Sequence, residues 1–95
     1  MNVKEFRESL VFDHPPEALS LPLAGLWWEA KGDWTKAHQS VQQDEGPAGA
    51  WVHAHLHRKE GDLSNAAYWY ERAGESPSQV SLDEEWNEIA ASLLE

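Results

Sequence analysis

Apolar side chains recur along this chain every three or four residues, and no stretch alternates apolar with polar for long enough to make a strand. The pattern predicts an all-α fold whose helices are marked off by capping residues, glycines and prolines. Asn2 can cap a short helix over residues 3 to 10, with Phe6 and Leu10 on one face. The connector "FDHPPEALS" leads to Ser20, the predicted cap of a helix from Leu21 to Lys31 with Pro22 in its first turn, and Gly32 ends that helix. Asp33 caps Trp34 to Gln43, and Pro47 opens a helix to about Glu60 that stops at Gly61. Asp62 caps Leu63 to Ala73, Gly74 closes it, and Ser81 with Glu84 forms a capping box for a last helix to Leu94. The expected organisation is one domain over 1–95. It comprises an N-terminal helix and Pro-containing connector (1–18), a first hairpin (19–45), a second hairpin (46–78) and a capping helix (79–95).

Laying Gly32-Asp33 over Gly61-Asp62 aligns "LWWEAKGDWTKAHQSV" with "HLHRKEGDLSNAAYWY", so that Ala37 meets Ala66 and Val41 meets Tyr70. In the second copy Gly61, Asp62, Ala66, Tyr70, Ala73 and Pro77 fall where the tetratricopeptide repeat places its glycine-acid turn, small residues, aromatic and proline. The chain therefore resembles that family, and "NAAYWYERAG" is similar to the second helix of Sel1-like repeats. The same likeness extends to small bacterial proteins of two such hairpins. It implies two antiparallel helical hairpins with a concave groove, closed by a capping helix. In the first copy Asp44 stands where the second alanine belongs, and Gly32 and Gly61 are closer together than the roughly 34 residues of the family's repeat, so its second helix should be short. Ala66 and Ala73 would let paired helices approach while Tyr70 fills the space between the hairpins, and most of the aromatics, Trp28 and Trp34 included, are expected in the core.

Charge narrows the possible partners. Seventeen acidic residues against seven basic give a net charge of -10, which repels nucleic acid and anionic membrane surfaces. No run approaches the roughly 20 apolar residues of a membrane helix, and "MNVKEFRESL" lacks the apolar region of a signal peptide. Cysteine is absent, which removes disulfides, thiolate metal sites and a cysteine nucleophile and suits a cytoplasmic setting. No nucleophile elbow, phosphate loop or paired-carboxylate motif accompanies the scattered serines, so the expectation is a non-enzyme with no cofactor.

Two groups on "HAHLHRK" could carry chemistry. His53 and His57 lie one helical turn apart, a metal-ligand spacing, and Glu60 or His38 could add a third ligand to a small metal-binding or hydrolytic site. Packed histidines bonded inside the hairpin account for the same pair. On the other side of that helix, Trp51, His55, Arg58 and Lys59 would line the concave groove that the resemblance implies, a surface suited to an acidic or C-terminal peptide. The last helix carries a stripe of Leu82, Trp86, Ile89 and Leu93, which becomes a homodimer surface in a self-associating subunit if nothing in the chain covers it. The leading expectation is a protein-interaction module that binds such a peptide.

Overall fold

The protein is described by a computed structural model over residues 1–94; the predicted last segment, 79–95, ends on Glu95, which lies outside the described residues. The described residues form α1 (Val3–Glu8), a 3-10 turn (Ser9–Val11), α2 (Leu21–Ala30), α3 (Trp34–Gln42), α4 (Pro47–Lys59), α5 (Leu63–Ala73) and α6 (Leu82–Leu93), with no strand among them. Each start has a local cause. Asn2 and Glu5 form a reciprocal capping box on α1, and the side chains of Ser20, Asp33, Asp62 and Ser81 accept from first-turn amides of α2, α3, α5 and α6. The two Gly-Asp turns share one geometry: Gly32 and Gly61 have φ of +83° and +85°, a conformation in which a side chain is strained.

Helix α2 packs on α3 and α4 on α5, each pair joined by one of those turns. At Gly25 α2 and α3 stand close together, and an added Cβ would lie 2.6 Å from Val41 Cγ1. Around that contact lies the main core of Phe6, Leu23, Leu26, Trp27, Ala37, Val41, Val52, Leu56, Trp86, Ile89 and Ala90. Ser9 fastens the N-terminal segment to it, donating to the Phe6 carbonyl and accepting from Trp27 Nε1 at 3.0 Å. A smaller cluster of Ala54, Ala66 and Tyr70 closes α4 against α5.

Helix α6 packs chiefly on α4, α2 and α1, lying across the first helices of both pairs. Trp86 stacks on Phe6 with ring centroids 5.3 Å apart and donates its indole N–H to the Leu26 carbonyl at 2.9 Å. The stripe considered as a homodimer surface is therefore covered within the chain: Ile89 and Trp86 are buried, Leu93 packs against the core, and Leu82 is 36% exposed. One aromatic expectation needs correcting. Trp34 is 40% exposed, because it is the first residue of α3, at the turn end of its hairpin, where it lies against His38 with ring centroids 4.4 Å apart. Trp28 is partly buried against the core.

Gly25→Ala should destabilise the protein by about 1–3 kcal/mol through overpacking, although alanine is the better helix former by about 1 kcal/mol. A double-mutant cycle with Val41→Ala, read by urea unfolding, should show the penalty shrinking when the valine methyls are removed. A Gly25→Ala protein more stable than the parent would mean that α2 and α3 stand further apart than described.

Candidate metal centre

Helix α4 touches α2, α3, α5 and α6, so its alternate histidines face different neighbours. His55 points to the interior and is 0% exposed. Its Nδ1 lies 2.7 Å from Glu85 Oε1, and its Nε2 faces Glu29 Oε2 at 3.9 Å, within reach of charge but not of a hydrogen bond. Arg58 donates to Glu85 Oε1 at 3.1 Å and to the Val80 carbonyl, Lys59 pairs with Glu29, and the Tyr70 hydroxyl donates to Glu85 Oε2. Trp51 is half-buried between the two core clusters.

Of the groove expected from Trp51, His55, Arg58 and Lys59, His55 and Arg58 are thus engaged by Glu85 of α6, and Lys59 by Glu29 of α2. The physical reason is that α6 must bury Trp86 and Ile89, and Glu85, adjacent on the same face, brings a charge that His55 and Arg58 meet. Burial alone would raise the carboxyls of Glu85 and Glu29, but the hydrogen bonds and charges around them hold both below the ordinary carboxylate value. Burial alone would lower His55, and the two carboxylates raise it instead. Glu85 was legible in one respect: it occupies an i+3 position in the run Leu82, Glu85, Trp86, Ile89, an acid written into an apolar stripe.

His53 and His57 face the other way, as their spacing implies, and α3 brings His38 to meet them. The Nε2 atoms of His38 and His53 are 3.0 Å apart, a hydrogen bond in which one ring donates its proton to the other as packed histidines would, and one ring nitrogen from each of the three residues lies within 4.8 Å of the others. The His57 ring is stacked on His53 at 4.9 Å and lies edge-on to His38 at 5.3 Å. His57 Nδ1 is 2.6 Å from Glu60 Oε1; a proton on Nδ1 donated to that carboxylate leaves Nε2 with its lone pair free. Trp69 stacks on His53 at 3.9 Å, and Arg72 sits over the Trp69 indole at 5.3 Å. Glu60 and Asp62 also converge on His57 from outside.

Burial, followed by the neighbouring charges of His38 and His57, pushes His53 down to about 4, so it is neutral near pH 7. His38 is lowered as well, by burial and by His57, against a smaller opposing effect of Glu60. Its Nδ1 is buried with no hydrogen-bond partner. The result is three converging imidazoles, with His53 neutral and His57 oriented by a carboxylate, which is the donor set of a nitrogen-ligated transition metal. Of the two residues considered for a third position beside His53 and His57, His38 brings a ring nitrogen within 4.8 Å of theirs and Glu60 is bonded to His57. The contributions of Trp69, Arg72, Tyr70, Glu29 and Glu85 had no local signal beyond the one noted for Glu85.

In comparisons with known proteins, no family model, no curated protein and no solved structure matches the chain. Function has to be read from the side chains themselves.

A group whose folded pKa lies below its unfolded value stabilises the fold fully above the unfolded pKa and loses that contribution as pH falls toward the folded one. For His53 the window runs from 6.5 down to about 4. His55 acts in the opposite sense, its contribution being present below 6.5 and lost as pH rises through its raised value. In chelator, the parent should therefore lose more stability than His53→Gln between pH 6.5 and pH 4.5, by on the order of 2–3 kcal/mol. Parallel urea midpoints for the two proteins across that range would remove the depressed histidine from the account.

Proposed function

We propose that this protein is a metal-binding helical domain, holding one transition-metal cation through His38 on α3 and His53 and His57 on α4. The supporting observation is the convergence of three ring nitrogens within 4.8 Å. Nitrogens bound tetrahedrally at about 2.0–2.1 Å from an ion lie about 3.3 Å apart. The His38 and His53 nitrogens, 3.0 Å apart, come close to that spacing, and the His57 nitrogen lies within 4.8 Å of both. All-imidazole ligation suits zinc, copper, nickel or cobalt, and three protein ligands leave a coordination position open. Acidic surroundings, with Glu60 and Asp62 beside His57 and a net charge of -10 over the chain, raise the local concentration of cations.

The two helix pairs are read here as tetratricopeptide-like hairpins, serving as a frame that carries histidines from one pair to the next. A receptor for acidic peptides, the other function suggested by the sequence, would need His55 and Arg58 free. Both are engaged by Glu85 of the chain's own acidic helix.

Chelator-stripped protein titrated with Zn²⁺ in a calorimeter should bind one equivalent. His38→Gln, His53→Gln and His57→Gln should each weaken binding by at least about 10-fold, and Glu60→Gln by about 10–100-fold through loss of the carboxylate on His57. His14→Gln, in the exposed connector, should leave it unchanged. Zn²⁺ at 100 times its dissociation constant should add about 2.7 kcal/mol of stability to the parent. Absence of saturable binding, or equal binding by the His14 and His53 variants, would sink the proposal.

A further inference from the structure

We infer that the cavity beside the three histidines binds a small carboxylate-bearing zwitterion, whose carboxylate spans the bound cation and Arg72; this rests on the metal site proposed above. The cavity has a volume of about 340 Å³, large enough for a molecule of a few heavy atoms, and its wall includes His53, Trp69, Arg72, Asp44 and Glu45. It abuts the metal position because His53 belongs to both. Trp69 is the common neighbour, stacked on His53 at 3.9 Å and lying under Arg72 at 5.3 Å, so a molecule in the cavity meets the indole, the guanidinium and the His53 edge of the metal site.

Arg72 is available for this role. The ion pairs among the described residues go to Arg7, His55, His57, Arg58 and Lys59, and none to Arg72, although the chain has ten more acidic than basic residues. Its one hydrogen bond is to the Tyr68 hydroxyl at 3.1 Å, and the Tyr68 and Trp69 rings hold it in place through their faces. A guanidinium held by aromatic faces keeps donors for a carboxylate, which it binds in two-pronged fashion. The position left open by three protein ligands accepts a carboxylate oxygen in place of water.

Asp44 and Glu45 decide the rest of the ligand. They put negative charge on the same wall, which opposes a dianion and favours an ammonium group. One Asp44 oxygen already accepts from the Gly46 amide at 2.8 Å, which fixes that carboxylate while leaving its second oxygen for the ligand. A cation, a guanidinium and two carboxylates around one cavity match a molecule with a carboxylate at one end and an ammonium at the other.

The test uses full-length protein loaded with Co²⁺, whose visible spectrum reports its coordination. Acetate, 4-aminobutyrate, succinate and methylammonium are then titrated in. 4-Aminobutyrate should shift the bands saturably, at lower concentration than acetate; succinate should bind less well than acetate, and methylammonium should leave the spectrum unchanged. Arg72→Gln should raise the half-saturating concentration of 4-aminobutyrate at least 10-fold while Co²⁺ affinity and helicity stay as in the parent, and Arg72→Lys should fall between the two. Cobalt-loaded protein whose spectrum ignores every carboxylate, or an Arg72→Gln variant that responds like the parent, overturns the zwitterion site and leaves the metal site standing. Failure of the parent to take up Co²⁺, Zn²⁺ or Ni²⁺ overturns both.

Discussion

The arrangement of this chain turns on a single buried carboxylate. Glu85 is 1% exposed, and three side chains from two other helices converge on it: His55 and Arg58 from α4 and Tyr70 from α5. A carboxylate taken out of water without partners costs several kcal/mol, and with them it constrains geometry more than it adds stability. Glu85 thereby fixes where α6 lies. Its neighbour Trp86 is carried onto Phe6 and the Leu26 carbonyl, and Ile89 and Ala90 enter the core behind it. Moving α6 elsewhere would strand the carboxylate and its cations together. The cations on this side of α4 are met by carboxylates of the same chain, His55 and Arg58 by Glu85 and Lys59 by Glu29.

Having settled one side of α4, that network also determines what the other side is free to do. His55 lies between two carboxylates that favour its proton, whereas His53, two residues earlier, lies among imidazoles and an indole that disfavour it. One helix therefore presents to one neighbour an imidazole whose proton is favoured, at His55, and to another an imidazole whose proton is disfavoured, at His53. The difference follows from helical geometry, since residues two apart point to nearly opposite sides, and from the identity of the facing helices. Acidic α6 faces His55, and α3 with His38 faces His53.

Much of the fold could be read from the sequence because its signals are local. Ser20, Asp33, Asp62 and Ser81 cap the helices that follow them, and Gly32 and Gly61 take the left-handed turns that end those before. The position of α6 was not legible, because its amphipathic stripe states that a face must be buried and not against what. The exposure of Trp34 was missed for the same reason: its size argues for burial, and only the packed hairpin shows that it stands at the end. Within the site, the i, i+4 spacing of His53 and His57 was visible, as was the candidacy of His38. Their convergence depends on α3 meeting α4, a contact between the two helix pairs.

That contact also explains why histidines stand there. Along α3, Ala37 and Val41 are buried against the other helices, while His38 lies to one side with its Nδ1 buried and unpartnered. A buried nitrogen without a hydrogen bond is unfavourable, and apolar side chains at positions 38, 53 and 57 would close the same interface without that cost. The cluster as it stands is thus poorly suited to stability alone. Imidazoles whose protons burial disfavours at His38 and His53, with Glu60 orienting His57 beside them, forgo packing strength for ring nitrogens. A cation bound to those nitrogens would tie α3 to α4 and return the stability that an apolar interface would have given, so the two helix pairs would be held together by the ion as well as by the core.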